Sequence, residues 1–392
     1  MFKRFAALAA SATLLVSAAA PASAANFEGK ETPFNYSSEQ QLAPQELIVH
    51  FNESVTSTYA KEIVSQFGGD IVETTEDFVV VKVNGQVSEA VKAFEGHSSV
   101  EFAEPNATFH ASYTPNDPFY ASEQYAPQKV EADKAWDITQ SASSVKIAVI
   151  DTGVDYNHPD LSGKVIKGYD YVQDDNDPMD EHYHGTHVAG IAAANTDNGI
   201  GIAGNAPNAS ILAIRVLDEG GSGTLDDVAQ GIRYAADQGA QVINLSLGGL
   251  LGTQTLKEAV DYAWNKGSVV VAAAGNESST KPSYPAYYSN AIAVAATDQN
   301  DNLAYFSNYG TWVDIAAPGV SIYSTMPGNA YDNLSGTSMA APVVAGVAGL
   351  LASQGRSAAE IRTALEETAD NVTGTGVFFQ NGRVNAFKAV QH

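Results

Sequence analysis

Three polar residues stand in settings that suit nucleophilic acyl transfer. Ser338 lies in Gly336-Thr337-Ser338-Met339-Ala340-Ala341-Pro342, ahead of an apolar run to Leu351. Thr337 and Ser338 are good helix-capping types, and Val343, Val344, Val347, Leu350 and Leu351 supply a buried helix surface. A hydroxyl at that mouth feels the positive end of the helix dipole and lies near unpaired backbone N–H groups, which favours a reaction that generates an oxyanion. Asp151 ends the apolar run Lys146-Ile147-Ala148-Val149-Ile150, which reads as a central parallel strand. Its carboxylate therefore falls at the carboxyl edge of a sheet, where open α/β proteins place their ligands. His184 opens an Ala-rich helix in His184-Gly185-Thr186-His187-Val188-Ala189-Gly190-Ile191. Taken singly, such a Ser is usually a cap, such an Asp a turn residue and such a His unremarkable. Together they supply nucleophile, acid and base.

These three segments resemble the signatures of the subtilisin-like serine proteases (subtilases), and from about Tyr113 onward the chain is most similar to thermitase-type members. The order Asp, His, Ser matches the family. Ala340 stands where a G-x-S-x-G elbow would need glycine, and the residue order is also wrong for an α/β-hydrolase. His182, His184 and His187 form an H-x-H-x-x-H cluster, but H-E-x-x-H is absent, so zinc catalysis is disfavoured. His182 and His187 read as structural, one exposed and one packed. A nucleotide-binding protein is disfavoured too, because neither a G-x-G-x-x-G nor a P-loop joins a strand to a helix.

The resemblance implies further roles. Asn276, after the apolar run Val269 to Ala274, matches the family's oxyanion-hole asparagine. Ser246, Leu247 and Gly248 would pair with substrate as an added strand, while Ala274 and Gly275 would wall the primary pocket above the loop Lys281 to Pro285. No charge lines these segments, so broad specificity for large apolar or aromatic P1 residues is expected. Calcium is the expected cofactor, at two places. One set is Asp117, Asp160, the Asn198 side chain and the carbonyls of Asn195, Ile200 and Ile202. The other is Asp170, Asp175 and Asp177 in an acidic loop, where Gln173 replaces a carboxylate of the family pattern and weakens the site. Met339 beside the nucleophile is a candidate for oxidation. Val343 stands where many relatives carry His, a packing variant.

The elements that must hold these residues are legible as alternating strands and helices. Ser210–Leu217, Val242–Leu247 and Val269–Ala274 read as strands, and Leu225–Asp237 and Leu256–Lys266 as helices. The expectation is an α/β, three-layer subtilisin-like fold with a mostly parallel central sheet. Residues 25–112 read as a separate β-α-β-β-α-β unit, provided that Asp70–Glu73 is a strand, giving a ferredoxin-like α+β propeptide. Its last strand would be Val100–Ala103, followed by a polar tail from Asn106 to Ser112. By resemblance it would assist folding and inhibit the peptidase domain at 113–392, with self-cleavage near Ser112-Tyr113.

Residues 1–24 read as a secretory signal, with Lys3, Arg4, an apolar run from Phe5 to Ala20 and an Ala22-Ser23-Ala24 cleavage motif. The chain has no Cys, so neither disulfides nor a lipoprotein anchor is available. A formal charge of −25, from 45 acidic and 20 basic residues, argues against nucleic-acid binding. A secreted monomer without a membrane anchor, acting on proteins and peptides, is expected.

Overall fold

The computed structural model describes residues 42–107 and 113–392. The expected signal segment and the expected cleavage point near Ser112 lie outside the described residues. These form two compact units, one ending at residue 107 and the other beginning at 113.

In the first unit, β1 (Leu42–Phe51), α1 (Ser57–Gln66), β2 (Gly69–Thr74), β3 (Val79–Val83), α2 (Val87–Glu95) and β4 (Val100–Ala107) follow the expected order. The four strands pair antiparallel in the order β2-β3-β1-β4, the ferredoxin-like arrangement. Its core joins Leu47, Val49 and Val81 from the sheet to Ile63, Val64, Val91 and Phe94 from the helices. The last strand is longer than the sequence suggested. Asn106 and Ala107 belong to β4, because β1 begins early enough at Leu42 to pair with Ala107.

The second unit begins with two short helices, α3 (Ala126–Lys129) and α4 (Ala132–Trp136). Next come β5 (Lys146–Asp151), β6 (Val165–Asp170), α5 (His184–Ala193), β7 (Ser210–Arg215), α6 (Leu225–Asp237), β8 (Val242–Leu245), α7 (Gln254–Asn265) and β9 (Val269–Ala273). It ends with β10 (Ala291–Thr297), β11 (Ile315–Pro318), the hairpin β12 (Ile322–Met326) and β13 (Ala330–Leu334), then α8 (Thr337–Ser353), α9 (Ala358–Glu367) and α10 (Ala386–Gln391). Seven strands form one parallel sheet in the order β11-β10-β9-β8-β5-β7-β6.

Alternation along β5 explains the layers. Ile147 and Val149 join the core that contains α5, α8, α9 and α10, while Ala148 and Ile150 join the core under α6 and α7. Both faces are covered, so the central strands carry continuous apolar runs. The chain leaves β5 for β6 and β7 on one side, then crosses to β8, β9, β10 and β11 on the other. The carboxyl ends of β5 and β8 therefore flank the point where strand order reverses. Among the described residues, no helix is long and apolar enough to cross a membrane.

Candidate active site

Asp151 is the last residue of β5 and fully buried. Its Oδ1 accepts the Thr152 N–H at 2.7 Å and lies 2.7 Å from His184 Nδ1. A carboxylate oxygen in this pair can only accept, so Nδ1 carries the hydrogen and Nε2 keeps its lone pair. His184 is the first residue of α5. The helix approaches β5 this closely because residue 185 is glycine: a Cβ there would sit 2.1 Å from the Gly153 carbonyl and 3.1 Å from Asp151 Cβ. Burial opposes charge on His184, but the attraction and hydrogen bond of Asp151, joined by the field of Asp180, raise its pKa above the ordinary imidazole value.

Asp180 has no role in the reading of the sequence. Its Oδ1 accepts from the Thr152 hydroxyl and the His182 N–H, both at 2.9 Å, and its Oδ2 from the Thr186 N–H at 2.9 Å and hydroxyl at 2.5 Å. Thr152 Oγ1 accepts the Gly185 N–H at 2.9 Å. One buried carboxylate thus fastens both flanks of His184 to the end of β5. Burial raises its pKa.

Ser338 lies one strand away. It occupies the second position of α8, and Gly336, not Thr337 or Ser338, is the capping residue. The cap comes instead from another loop: Asn276 Oδ1 accepts the Thr337 N–H at 2.8 Å and the Thr337 hydroxyl at 3.0 Å. The Met339 and Ala340 N–H groups turn back to the Gly336 carbonyl. A point at the Cβ position of Gly336 is 3.6 Å from both Asn276 Nδ2 and the Ser338 N, so two donors border one small space.

The Ser338 hydroxyl donates to the Ser246 carbonyl at 3.1 Å, so this hydrogen must leave Ser246 before it can pass to an imidazole. In return the Ser246 hydroxyl donates to the Ser338 carbonyl at 2.7 Å and accepts from Asn244 Nδ2 at 2.9 Å. That carbonyl is available because Pro342, four residues on, has no N–H to give it. The sequence flagged Ser246 only for strand pairing, and its side-chain role was not legible there.

Ser246, Leu247 and Gly248 line a cleft of about 740 Å³ together with His184, Thr152 and Tyr284. β8 ends at Leu245, so these three residues lie just beyond the sheet. Tyr284 is tied to Gly249 by paired backbone bonds of 2.8 and 2.9 Å, which puts the 281–285 loop against this cleft. Ala274 and Gly275 follow β9, where the Gly275 N–H donates to Thr337 Oγ1 at 3.1 Å. His187 is buried, its Nε2 3.1 Å from the Asp332 carbonyl, and burial pushes its pKa down to about 4. Met339 is 2% exposed, so burial shields the residue expected to be oxidised.

The candidate cation sites differ. Asp117 and Asp160 are buried, and each has a pKa raised by that burial, with Asp160 at about 6. Asp117 Oδ1 is a buried oxygen without a hydrogen-bond partner. The arm and loop that carry these residues are already laced together. Asp197 accepts from the Tyr113 hydroxyl and the Asn116 N–H, Asp117 Oδ2 accepts the Asp197 N–H, and the Phe119 N–H donates to the Gly201 carbonyl. Asn198 donates to Asp160 Oδ1 at 2.7 Å, and the Ile202 N–H donates to Asp160 Oδ2 at 2.8 Å. Two like charges out of water beside an orphaned oxygen fit a hard divalent cation.

At the second set, Asp170 and Asp177 already face cations of the protein. Among the described residues, neither set brings three acidic or imidazole side chains into a metal cluster. Arg215, itself buried, pairs with Asp170 at 3.2 Å and Glu181 at 2.8 Å. Lys167 pairs with Asp177 at 3.0 Å. The protein's own cations thus meet two of the three carboxylates assigned to calcium, while Asp175 Oδ1 accepts the Asp177 N–H.

The model of the subtilase family (Peptidase S8) matches residues 142–383. The chain belongs to the subtilase family. Residues 30–106 match the fervidolysin N-terminal prodomain model. Among curated subtilases, the thermophilic serine proteinase of Bacillus sp. (strain AK1) is 56% identical over 94% of each chain. Thermitase of Thermoactinomyces vulgaris is 66% identical over 280 residues, covering 71% of this chain and all of the relative. A solved protease of Pseudoalteromonas arctica PAMC 21717 superposes with a TM-score of 0.65 at 33% identity, covering 71% of this chain and 99% of the other. This subtilase is therefore a serine protease with an N-terminal prodomain.

Proposed function

We propose that Ser338 is the nucleophile of an endopeptidase, with His184 its general base and Asp151 the residue that orients the imidazole. The observation that carries this reading is the 2.7 Å contact between Asp151 and His184 on a cleft whose other wall, Ser246, holds both the hydroxyl and the carbonyl of Ser338. Ser338 Oγ attacks the peptide carbonyl while its proton passes to His184 Nε2. Asn276 Nδ2 and the Ser338 N–H donate to the resulting oxyanion. Collapse breaks the C–N bond, the amine leaves with the proton from His184, and water then hydrolyses the acyl-enzyme by the same route. Ser246, Leu247 and Gly248 would pair with an extended substrate, while Ala274 and Gly275 would face the P1 side chain. The apolar cleft supports a broad preference for large apolar or aromatic groups. A phosphonylating reagent should abolish casein hydrolysis stoichiometrically and add its mass to the peptide containing Ser338. Labelling elsewhere, with activity lost, would overturn the assignment.

The processing scheme belongs to the same reading. Residues 1–24 direct export, residues 25–112 act as folding aid and inhibitor, and residues 113–392 form the extracellular, monomeric peptidase. Self-cleavage near Ser112-Tyr113 would release it. Ser338→Ala should therefore accumulate as the unprocessed chain, and release of the same new N-terminus in that variant, without added protease, would exclude self-processing. Calcium, when bound, would be held by Asp117, Asp160, Asn198 and the carbonyls of Asn195, Ile200 and Ile202, where it offsets the buried charge pair. A second, weaker site would use Asp170, Asp175 and Asp177, where Arg215 and Lys167 compete for the charge.

A further inference from the structure

Asn276 sits in a segment, Ala274 to Ser279, that follows the last ladder residue of β9 and has no strand or helix to hold it. Two of its residues, Gly275 and Ser278, have positive φ angles of 101° and 51°. Such a path persists only where its surroundings over-determine it. One side chain does most of this. Asn308 is 1% exposed and spends all four hydrogen-bonding positions of its amide on this segment. Its Oδ1 accepts the Glu277 N–H at 3.1 Å and the Ser279 N–H at 2.9 Å. Its Nδ2 donates to the Ala274 carbonyl at 2.9 Å and to Glu277 Oε2 at 2.6 Å. Its backbone N–H reaches the Gly275 carbonyl at 2.9 Å. The loop closes so tightly on this amide that a Cβ at Gly275 would lie 2.5 Å from Asn308 Nδ2 and 2.7 Å from Glu277 Oε2.

We infer that Asn308 is a positioning residue for the oxyanion donor: its amide, clamped onto the residues on both sides of Asn276, fixes where Asn276 Nδ2 points. Asn276 has one further anchor, its Oδ1 contact to Thr337, and that contact fixes only the far end of the side chain. Asn308 fixes the backbone beneath it. The inference rests on the reading of Asn276 as oxyanion donor, and the test separates the two.

Turnover of a peptide anilide is measured for the wild type, Asn276→Ala, Asn308→Ala and the double variant, normalised to active sites titrated with the phosphonylating reagent. Asn276→Ala must lower kcat; if it does not, the oxyanion reading fails whatever Asn308 does. Given that loss, Asn308→Ala should lower kcat by about 10- to 100-fold with KM changed by less than about threefold. In the Asn276→Ala background the same change should cost less than about twofold, because the donor it positions is gone. An equal loss in both backgrounds, or an unchanged kcat in Asn308→Ala, overturns the inference. If Asn308→Ala does not fold, Asn308→Asp replaces it. That change keeps the Oδ1 acceptor but sets an oxygen against the Glu277 carboxylate. Adding Glu277→Gln restores a donor to that oxygen, which still faces the Ala274 carbonyl, and should recover kcat in part, whereas no recovery overturns the proposal.

Discussion

The oxyanion role proposed for Asn276 and its observed contact with Thr337 are separable, and two substitutions pull them apart. Asn276→Ala removes the Nδ2 donor together with the Oδ1 that accepts the Thr337 N–H at 2.8 Å and its hydroxyl at 3.0 Å. Losing that cap costs about 0.5–2 kcal/mol, which in a unit of this size lowers Tm by about 2–4 °C per kcal/mol. Losing an oxyanion donor costs about 100- to 1,000-fold in kcat, the magnitude found for the corresponding loss in subtilisin, a relative of this chain. KM should barely move, because the donor acts on charge that exists only in the transition state. Asn276→Asp has nearly the same shape. It keeps an acceptor for Thr337 and adds a negative charge at the start of α8, which is favourable by about 0.3–1 kcal/mol. The same charge faces the developing oxyanion, and two unit charges about 4 Å apart at an effective dielectric of about 20 repel by about 4 kcal/mol. The two variants should therefore cross: Ala less stable but faster, Asp more stable but slower. Calorimetry and anilide turnover at pH 8, where the new carboxylate is ionised, measure both. An Asp variant faster than the Ala variant would refute the oxyanion role, and a less stable one would refute the cap.

The other predictions concern the frame around that site. In the proposed role of base His184 must be neutral, and its pKa is raised, so the acid limb of kcat/KM should lie above pH 6.5. Asp180→Asn removes one of the charges that raises it and should move that limb to lower pH, while an unmoved limb would make Asp180 purely structural. At the Asp117–Asp160 pair, chelation at pH 7 should shorten the thermal inactivation half-life, and Asp117→Asn should remove most of that sensitivity. The sign follows from the Asp160 pKa, raised from 3.8 to about 6. Ionisation then destabilises the cation-free fold as pH rises from about 4 to 6, by up to about 3 kcal/mol. The stabilisation by added calcium should accordingly fade as pH falls through about 6, and a calcium effect undiminished at pH 4 would contradict it. Gly190→Ala would place a Cβ 2.2 Å from Thr325 Oγ1 and 2.5 Å from Ser324 Oγ, hydroxyls that hold the α5 carbonyls of Thr186 and His187. It should cost about 1–3 kcal/mol by denaturant titration.

Most of the sheet was legible because its strands are buried on both faces. Val269–Ala273 and Lys146–Asp151 read as continuous apolar runs, and the helices α6 and α7 between strands kept their 3.6-residue period. β10 escaped notice because Ala291-Ile292-Ala293-Val294-Ala295-Ala296-Thr297 is rich in alanine, a residue with no preference for extended backbone, and its strand state is imposed by parallel pairing with β9 and β11. The hairpin of β12 and β13 was missed for the opposite reason. β13 is half-exposed and polar, and its pattern carries no buried stripe.

The site divides along a different line. The elements that carry Asp151, His184 and Ser338 were readable from their own neighbours in sequence, as a strand end, a helix start and a helix mouth. Residues that hold them still were not, because each acts on a partner far along the chain. Asn308 clamps a loop about thirty positions away, Ser246 reaches Ser338 across 92 positions, and Arg215 answers an acidic loop that looked, in one dimension, like a cation's cage. In that last case sequence reasoning counted like charges and asked what neutralises them. Part of the answer lay on β7, whose last residue, Arg215, pairs in register with Asp151. Arg215 therefore ties the loop that precedes His184 to the strand beside Asp151. The acidic run before His184 is thus partly met by an arginine that ends an adjacent strand, a pairing that topology decides and spacing cannot.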